Sequence, residues 1–224
     1  MSTTVCAPFK HPSTILVAGP TGCGKTEFLV KLLANKGIRP FPERIIWIYG
    51  EWQGAYDRIR NLNLRGTKVE FVKNHDDSLY DSLDSKVRNL VVLDDQMENK
   101  DMHRSGLAKF FTQGSHHRNL TVIYIIQNMF HQSKEMRTIS LNSHYLVLFK
   151  NPRDKLQIRH LASQMYPNDP KFLTSAYEDA TSASYGYLAV DLRPETPETL
   201  RIRSDFYNPS GPLVYITNEP KQTV

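Results

Sequence analysis

The chain has 224 residues, enough for one α/β domain with its own core, and its 40% hydrophobic and 23% charged side chains exclude disorder and collagen-like order. Its two cysteines, Cys6 and Cys23, exclude a disulfide scaffold and a four-cysteine zinc site. The formal charge of +5 hints at an acidic partner but excludes little by itself.

In chain order, the opening MSTTVCAPFKHPS lacks the apolar core of a signal peptide, and no apolar run approaches the roughly 18 residues of a membrane span. We therefore expect no membrane span and an intracellular protein. Ser13–Ala18 (STILVA) reads as a buried strand running into a Gly19-Pro20 turn, and KTEFLVKLLAN from Lys25 has helical spacing with Gly37 as its stop. Arg44–Tyr49 and Lys68–Val72 are expected strands, and Leu90–Leu93 is a third, very apolar one ending in two acids. Met102–Thr112 is an expected helix, Leu120–Ile126 a strongly β-branched strand, and His144–Phe149 a further strand. Pro152–Met165 and Lys171–Ala180 read as helices, and Tyr185–Val190 with Leu200–Arg203 as a late strand pair. After Phe206 the sequence becomes rich in Pro and polar residues, which predicts an extended or mobile tail. Strands alternating with helices imply βαβ units around a mostly parallel sheet covered on both faces.

Charge is unevenly spread. Between Asp101 and His160 stand nine lysines and arginines against three acids, so this stretch carries +6 while the remainder carries −1. Six of the eight histidines lie in it too. Such a concentration is either the footprint of a polyphosphate partner or a set of solvated helix faces.

The chemistry-bearing motif is Gly19-Pro20-Thr21-Gly22-Cys23-Gly24-Lys25-Thr26, which fits G-x-x-x-x-G-K-[ST] between a strand and a helix. Glycines let consecutive backbone N–H groups curl round phosphates, and the following helix adds its positive end. Lys25 is expected to reach the β- and γ-phosphates of ATP, and the Thr26 hydroxyl to bind Mg²⁺. The second half comes 69 residues after Lys25, where Leu90-Val91-Val92-Leu93 delivers Asp94 and Asp95. Asp94 is the expected metal acid and Asp95 the expected general base, although a turn or helix cap after a strand is the bland alternative.

Gln127, at the tip of Leu120–Ile126, has an amide able to donate to a γ-phosphate oxygen and hold the water at once, or it merely closes the strand. Arg118, just before that strand, is a candidate for stabilising transition-state charge in a neighbouring subunit, in competition with Arg137 and Arg153. His116-His117 lacks metal-ligand spacing, and Cys23 has no metal role by spacing and is at most a redox liability. Trp47, Tyr49 and Trp52 with Arg58 and Arg60 read as packing before base stacking.

Together GPTGCGKT, LVVLDDQM, FFTQGSHHRNLTVIYIIQNMFHQ and RTISLNSHYLVLFKNPRDK resemble the viral genome-packaging ATPases of the FtsK–HerA superfamily. The likeness is nearest to those of Polinton/Maverick elements and adintoviruses, related to poxvirus-type packaging ATPases, and it spans roughly residues 13–204. It implies an additional-strand (RecA/FtsK-like) P-loop fold with a mostly parallel central sheet, nucleotide and Mg²⁺ at Lys25 and Thr26, acids Asp94 and Asp95, and Gln127 as sensor. Many members carry Glu as the second acid, so Asp95 sets its carboxylate about one methylene further from the water. The resemblance also implies a ring, commonly a hexamer, that threads double-stranded DNA into a preformed capsid, with capsid or portal proteins as partners. It places the protein in the host nucleus, at a viral assembly site or on the virion.

The expected layout is an N-terminal arm over 1–12, the ATPase motor over 13–204 and a Pro-rich tail over 205–224. That leaves no room for a nuclease or sequence-reading domain. Lys134, Arg137 and the turn Asn151-Pro152-Arg153-Asp154-Lys155 are candidate contacts to DNA or a neighbouring subunit. The alternative is a small nucleoside or nucleotide kinase, which shares size and phosphate loop but lacks a reason for paired acids. A non-catalytic assembly protein is disfavoured by the intact motifs, and an ABC-type ATPase by the missing LSGGQ-like signature.

Overall fold

A computed structural model of the chain describes residues 8–73, 78–94, 110–111, 118–127, 134–153 and 155–217. Its centre is built from β2 (Thr14–Ala18), β6 (Asn89–Asp94), β7 (Leu120–Ile126) and β8 (Tyr145–Phe149), every residue of which is buried. Continuous apolar runs of this kind belong in strands covered on both faces, which is the habit of parallel sheets. With β4 (Arg44–Tyr49), β5 (Lys68–Lys73), β9 (Tyr187–Asp191), β10 (Ile202–Ser204) and β11 (Leu213–Tyr215), they form a nine-stranded sheet in the order β11-β10-β9-β8-β2-β7-β6-β4-β5. The six strands from β8 to β5 are parallel, and β9, β10 and β11 continue the sheet antiparallel. The fold is an α/β P-loop NTPase fold, with β7 as the additional strand between the loop-bearing β2 and the acid-bearing β6.

Side chains two apart along a strand share a face, so the sheet divides the core in two. Ile15, Val17, Ile123, Ile125 and Val92 face α1 (Lys25–Ala34) and α2 (Gly54–Arg60), joined there by Phe28, Leu29, Leu32, Trp47 and Tyr56. Leu16, Ala18, Val122, Tyr124, Ile126 and Leu93 face the other way. That face is covered by the helices Lys134–Leu141, Leu156–Met165 and Pro170–Ala180, through Ile139, Leu161, Ala162, Leu173 and Ala176.

The structure departs from the sequence reading in identifiable places. The helix expected from Pro152 begins at Leu156, because Pro152 sits in a turn after β8. The segment after Phe206 is not merely a tail: Leu213–Tyr215 pairs antiparallel with β10 in register Ile202↔Tyr215. Residues 8–12 are likewise built into the domain. Strand β1 (Phe9–Lys10) pairs with β3 (Ile38–Arg39), and Phe9, 1% exposed, packs edge-on against Phe28, Tyr145 and Phe206. The expected helix Met102–Thr112 lies outside the described residues except for Phe110 and Phe111, both buried. Among the described residues no helix is long and apolar enough to cross a membrane.

Candidate nucleotide site

Parallel strands end at one edge of the sheet, and their carboxyl ends bring loops from distant parts of the sequence together. Here β2, β7 and β6 lie side by side, with Ala18 opposite Ile126 and Asp94 opposite Ile125. The Gly19 N–H donates to the Ile126 carbonyl at 3.1 Å, fixing the start of the phosphate loop against the tip of β7. Residues 19–26, Asp94 and Gln127 thus converge by register alone.

The loop geometry needs its glycines. Gly22 and Gly24 have φ of +79° and +103°, a region L side chains rarely adopt. Gly24 then starts α1, its carbonyl accepting from the Phe28 N–H at 2.9 Å. A Cβ on Gly19 would lie 2.7 Å from both Cys23 Sγ and Phe149 Cβ. Cys23 therefore points down into the packing beneath the loop, and burial pushes its thiol up despite the opposing pull of the Lys25 charge and backbone N–H groups. A thiol held in that state is a poor nucleophile.

Lys25 donates from Nζ to the carbonyls of Gly19 at 2.6 Å and Pro20 at 2.9 Å, which anchors its ammonium over the loop. Asp94 is 3% exposed, and its Oδ2 accepts from the Tyr56 hydroxyl at 2.8 Å. Tyr56 is wholly buried on α2, wedged among Trp47, Tyr49, Trp52 and Phe71. Sequence reasoning missed it, since a single Tyr in GAYDRIR carries no motif and meets Asp94 only because β4 lies beside β6.

Lys25 and Asp94 line one cavity of about 280 Å³ with the phosphate loop, Thr26, Glu27, Gln53 and Gln127. Thr26 and Asp94 offer a hydroxyl and a carboxylate, hard oxygen donors that suit Mg²⁺ shared with substrate phosphates. Gln53, at the start of α2, is a second residue the sequence reading passed over.

Asp95 lies outside the described residues, as do His116 and His117. Arg118 is described and is not brought to the cavity. It precedes β7 at the opposite edge of the sheet, where it donates to the Leu83 carbonyl at 3.3 Å, approaches Asp81 at 3.6 Å and lies 5.4 Å over the Tyr80 ring. In the aromatic set Trp47 is fully buried, whereas Trp52 is exposed and lies 4.6 Å under the Arg60 guanidinium.

Solved structures share this architecture. The genome packaging NTPase B204 from Sulfolobus turreted icosahedral virus 2 in complex with sulfate superposes with a TM-score of 0.55 at 12% identity, covering 86% of this chain and 95% of that one. Its complex with ATP-gammaS gives 0.52 at 15% identity over 86% and 95% of the two chains. B204, the DNA-packaging ATPase from Sulfolobus turreted icosahedral virus, gives 0.55 at 9% identity over 86% and 96%. The likeness is one of fold. No protein-family model and no curated protein matches the chain.

Proposed function

We propose that the chain is a Mg²⁺-dependent ATPase that translocates double-stranded DNA, packaging a viral genome into a capsid. The observation that carries this reading is the convergence of the phosphate loop, Asp94 and Gln127 on one cavity across three adjacent strands. In this reading backbone N–H groups of residues 21–26 and the Lys25 ammonium hold the β- and γ-phosphates. Thr26 and Asp94 would hold Mg²⁺, which would supply positive charge against the phosphate oxygens. Gln127, exposed at the mouth, orients the attacking water, and Asp95 takes its proton.

The interposed β7 is what separates this reading from the kinase alternative. A residue at the tip of a strand between the loop and the metal acid touches both the γ-phosphate and the water, which serves hydrolysis. The fold shared with B204, a packaging NTPase, supports the motor reading; the resemblance to the FtsK–HerA superfamily adds to the proposal a hexameric ring, capsid or portal partners, and a place at a viral assembly site or in the host nucleus. Lys150, Lys155 and Arg159 border a largely apolar cavity of about 490 Å³ between the helices Leu156–Met165 and Pro170–Ala180. They extend the basic turn at 151–155 and are the proposed contacts to DNA phosphates or to a neighbouring copy. For an arginine acting in trans, Arg153 is exposed at the nucleotide edge, whereas Arg118 would first have to leave its contacts with Leu83 and Tyr80.

The test is ATP turnover with and without duplex DNA at low and moderate salt. Stimulation that weakens as salt rises is the expected result. Turnover indifferent to DNA overturns the motor reading, and a phosphorylated small acceptor favours the kinase.

A further inference from the structure

Among the described residues, Tyr185 stands apart from every other aromatic side chain. It is 69% exposed, so its ring gains little from burial, yet its backbone sits at φ +63°, in the left-handed region that costs a bulky residue free energy. Its position is nonetheless fixed on both sides. A Cβ on the following Gly186 would collide with the Ala180 carbonyl, and the Gly186 N–H closes a turn on the Ala183 carbonyl at 3.1 Å. Two residues on, Tyr187 is locked by Phe28 at 4.8 Å and Phe149 at 5.7 Å between ring centroids.

The ring is held against the phosphate loop itself. A Cβ placed on Gly24 would lie 3.0 Å from Tyr185 Cδ1 and 3.4 Å from Cγ. The ring therefore lies at the loop glycine from which α1 starts. It comes from the β9 side of β2, whereas Asp94 and Gln127 come from the β7 and β6 side. A ligand whose phosphates fill the loop has its metal-bound end toward Asp94 and its remaining part beyond the loop. The remaining part of a nucleotide is a ribose and a flat aromatic base. Core packing does not account for an exposed ring in a strained backbone at this place; stacking does.

We propose that Tyr185 is the base platform of the nucleotide site, a positioning and affinity residue on which the purine stacks while its phosphates occupy the loop. This rests on the reading of residues 19–26 as a nucleotide-binding loop. Stacking reads the π-face and not the edge, so the platform serves adenine and guanine alike.

The test compares binding of ATP, GTP and inorganic tripolyphosphate to the full chain with Mg²⁺, in the wild type and in Tyr185→Asn, Tyr185→Phe and Lys25→Ala. Asn tolerates the left-handed backbone and so removes the ring without adding strain. Tyr185→Asn is expected to weaken ATP and GTP about tenfold, the scale of one lost base–aromatic stack, and to leave tripolyphosphate unchanged. Tyr185→Phe is expected to bind all three as the wild type does, and Lys25→Ala to weaken all three. Equal ATP affinity in wild type and Tyr185→Asn overturns the platform. So does an equal loss for ATP and tripolyphosphate, because the ring would then only support the loop. A wild type that binds neither ATP nor tripolyphosphate overturns the nucleotide site and the platform together.

Discussion

The two edges of the central sheet use their polar groups in opposite ways. At the edge where β6, β8 and β7 begin, several polar groups answer one another. Asp191, 1% exposed at its side chain, accepts from Arg193 Nη2 at 2.7 Å and Nε at 3.0 Å, and Arg203 reaches it at 3.4 Å. Burial alone would push the Asp191 carboxyl up, but the hydrogen bonds and charge of Arg193 outweigh it and hold the group below the usual carboxylate range. Nearby, His11 Nε2 donates to Asn119 Oδ1 at 2.9 Å, and its Nδ1 accepts from the Thr121 hydroxyl at 2.7 Å. At the edge where these strands end, Lys25, Thr26, Asp94 and Gln127 face a common cavity. A closed polar network gives stability; a convergent one gives a place for a ligand.

Substitutions at the two edges should therefore separate stability from turnover. The largest effect is expected at the closed edge, where Asp191→Ala leaves two half-buried arginines without their buried carboxylate. Chemical denaturation should show a loss of about 3–5 kcal/mol, with nucleotide affinity of the folded fraction unchanged. Lys25→Ala, at the open edge, should do the converse, lowering phosphate release about 100-fold or more while the thermal midpoint stays close to that of the wild type. Were Asp191→Ala to abolish nucleotide binding by folded protein, the division between the edges would fail.

Tyr56→Phe probes a residue that belongs to both roles. It deletes the hydroxyl that orients Asp94 and should raise the Mg²⁺ concentration for half-maximal turnover about tenfold, at a stability cost of about 1 kcal/mol. An unchanged Mg²⁺ dependence would make Tyr56 a packing residue alone. The smallest effect is a pH dependence at the closed edge. Burial pushes the His11 imidazole below its ordinary value, with the Arg88 charge acting the same way and the Asn119 bond opposing. The unfolded chain then binds the proton more readily, so stability is full above the ordinary His value of about 6.5 and declines as pH falls through it. His11→Gln should flatten that part of the stability–pH curve; an unchanged slope would assign it to other groups.

Much of the site was legible because its chemistry is local. Eight consecutive residues, 19–26, encode the loop, and an apolar strand running into Asp94 marks the candidate metal acid. The strands expected at 44–49 and 120–126 are found with those bounds, since their β-branched, largely apolar character leaves no competing element. Boundaries slipped where one residue decides them, as at Pro152. Short pieces whose partners are remote were missed: Phe9–Lys10 finds Ile38–Arg39, and Leu213–Tyr215 finds β10. A two- or three-residue strand has too little period to be read alone.

The +5 charge that hints at an acidic partner maps onto a +6 segment over 101–160, of which the described part reaches the nucleotide edge through Lys150, Lys155 and Arg159. The sequence by itself determined the phosphate-loop motif, the acid that ends β6 and the alternating α/β order, because each depends on neighbours in the chain. Only the tertiary structure decided that β7 lies between β2 and β6, that Tyr56 holds Asp94, that Arg118 belongs to the far edge and that Tyr185 stands beside Gly24. Those depend on which strands become neighbours, and strand order is settled by burial of the whole sheet, not by any segment of it.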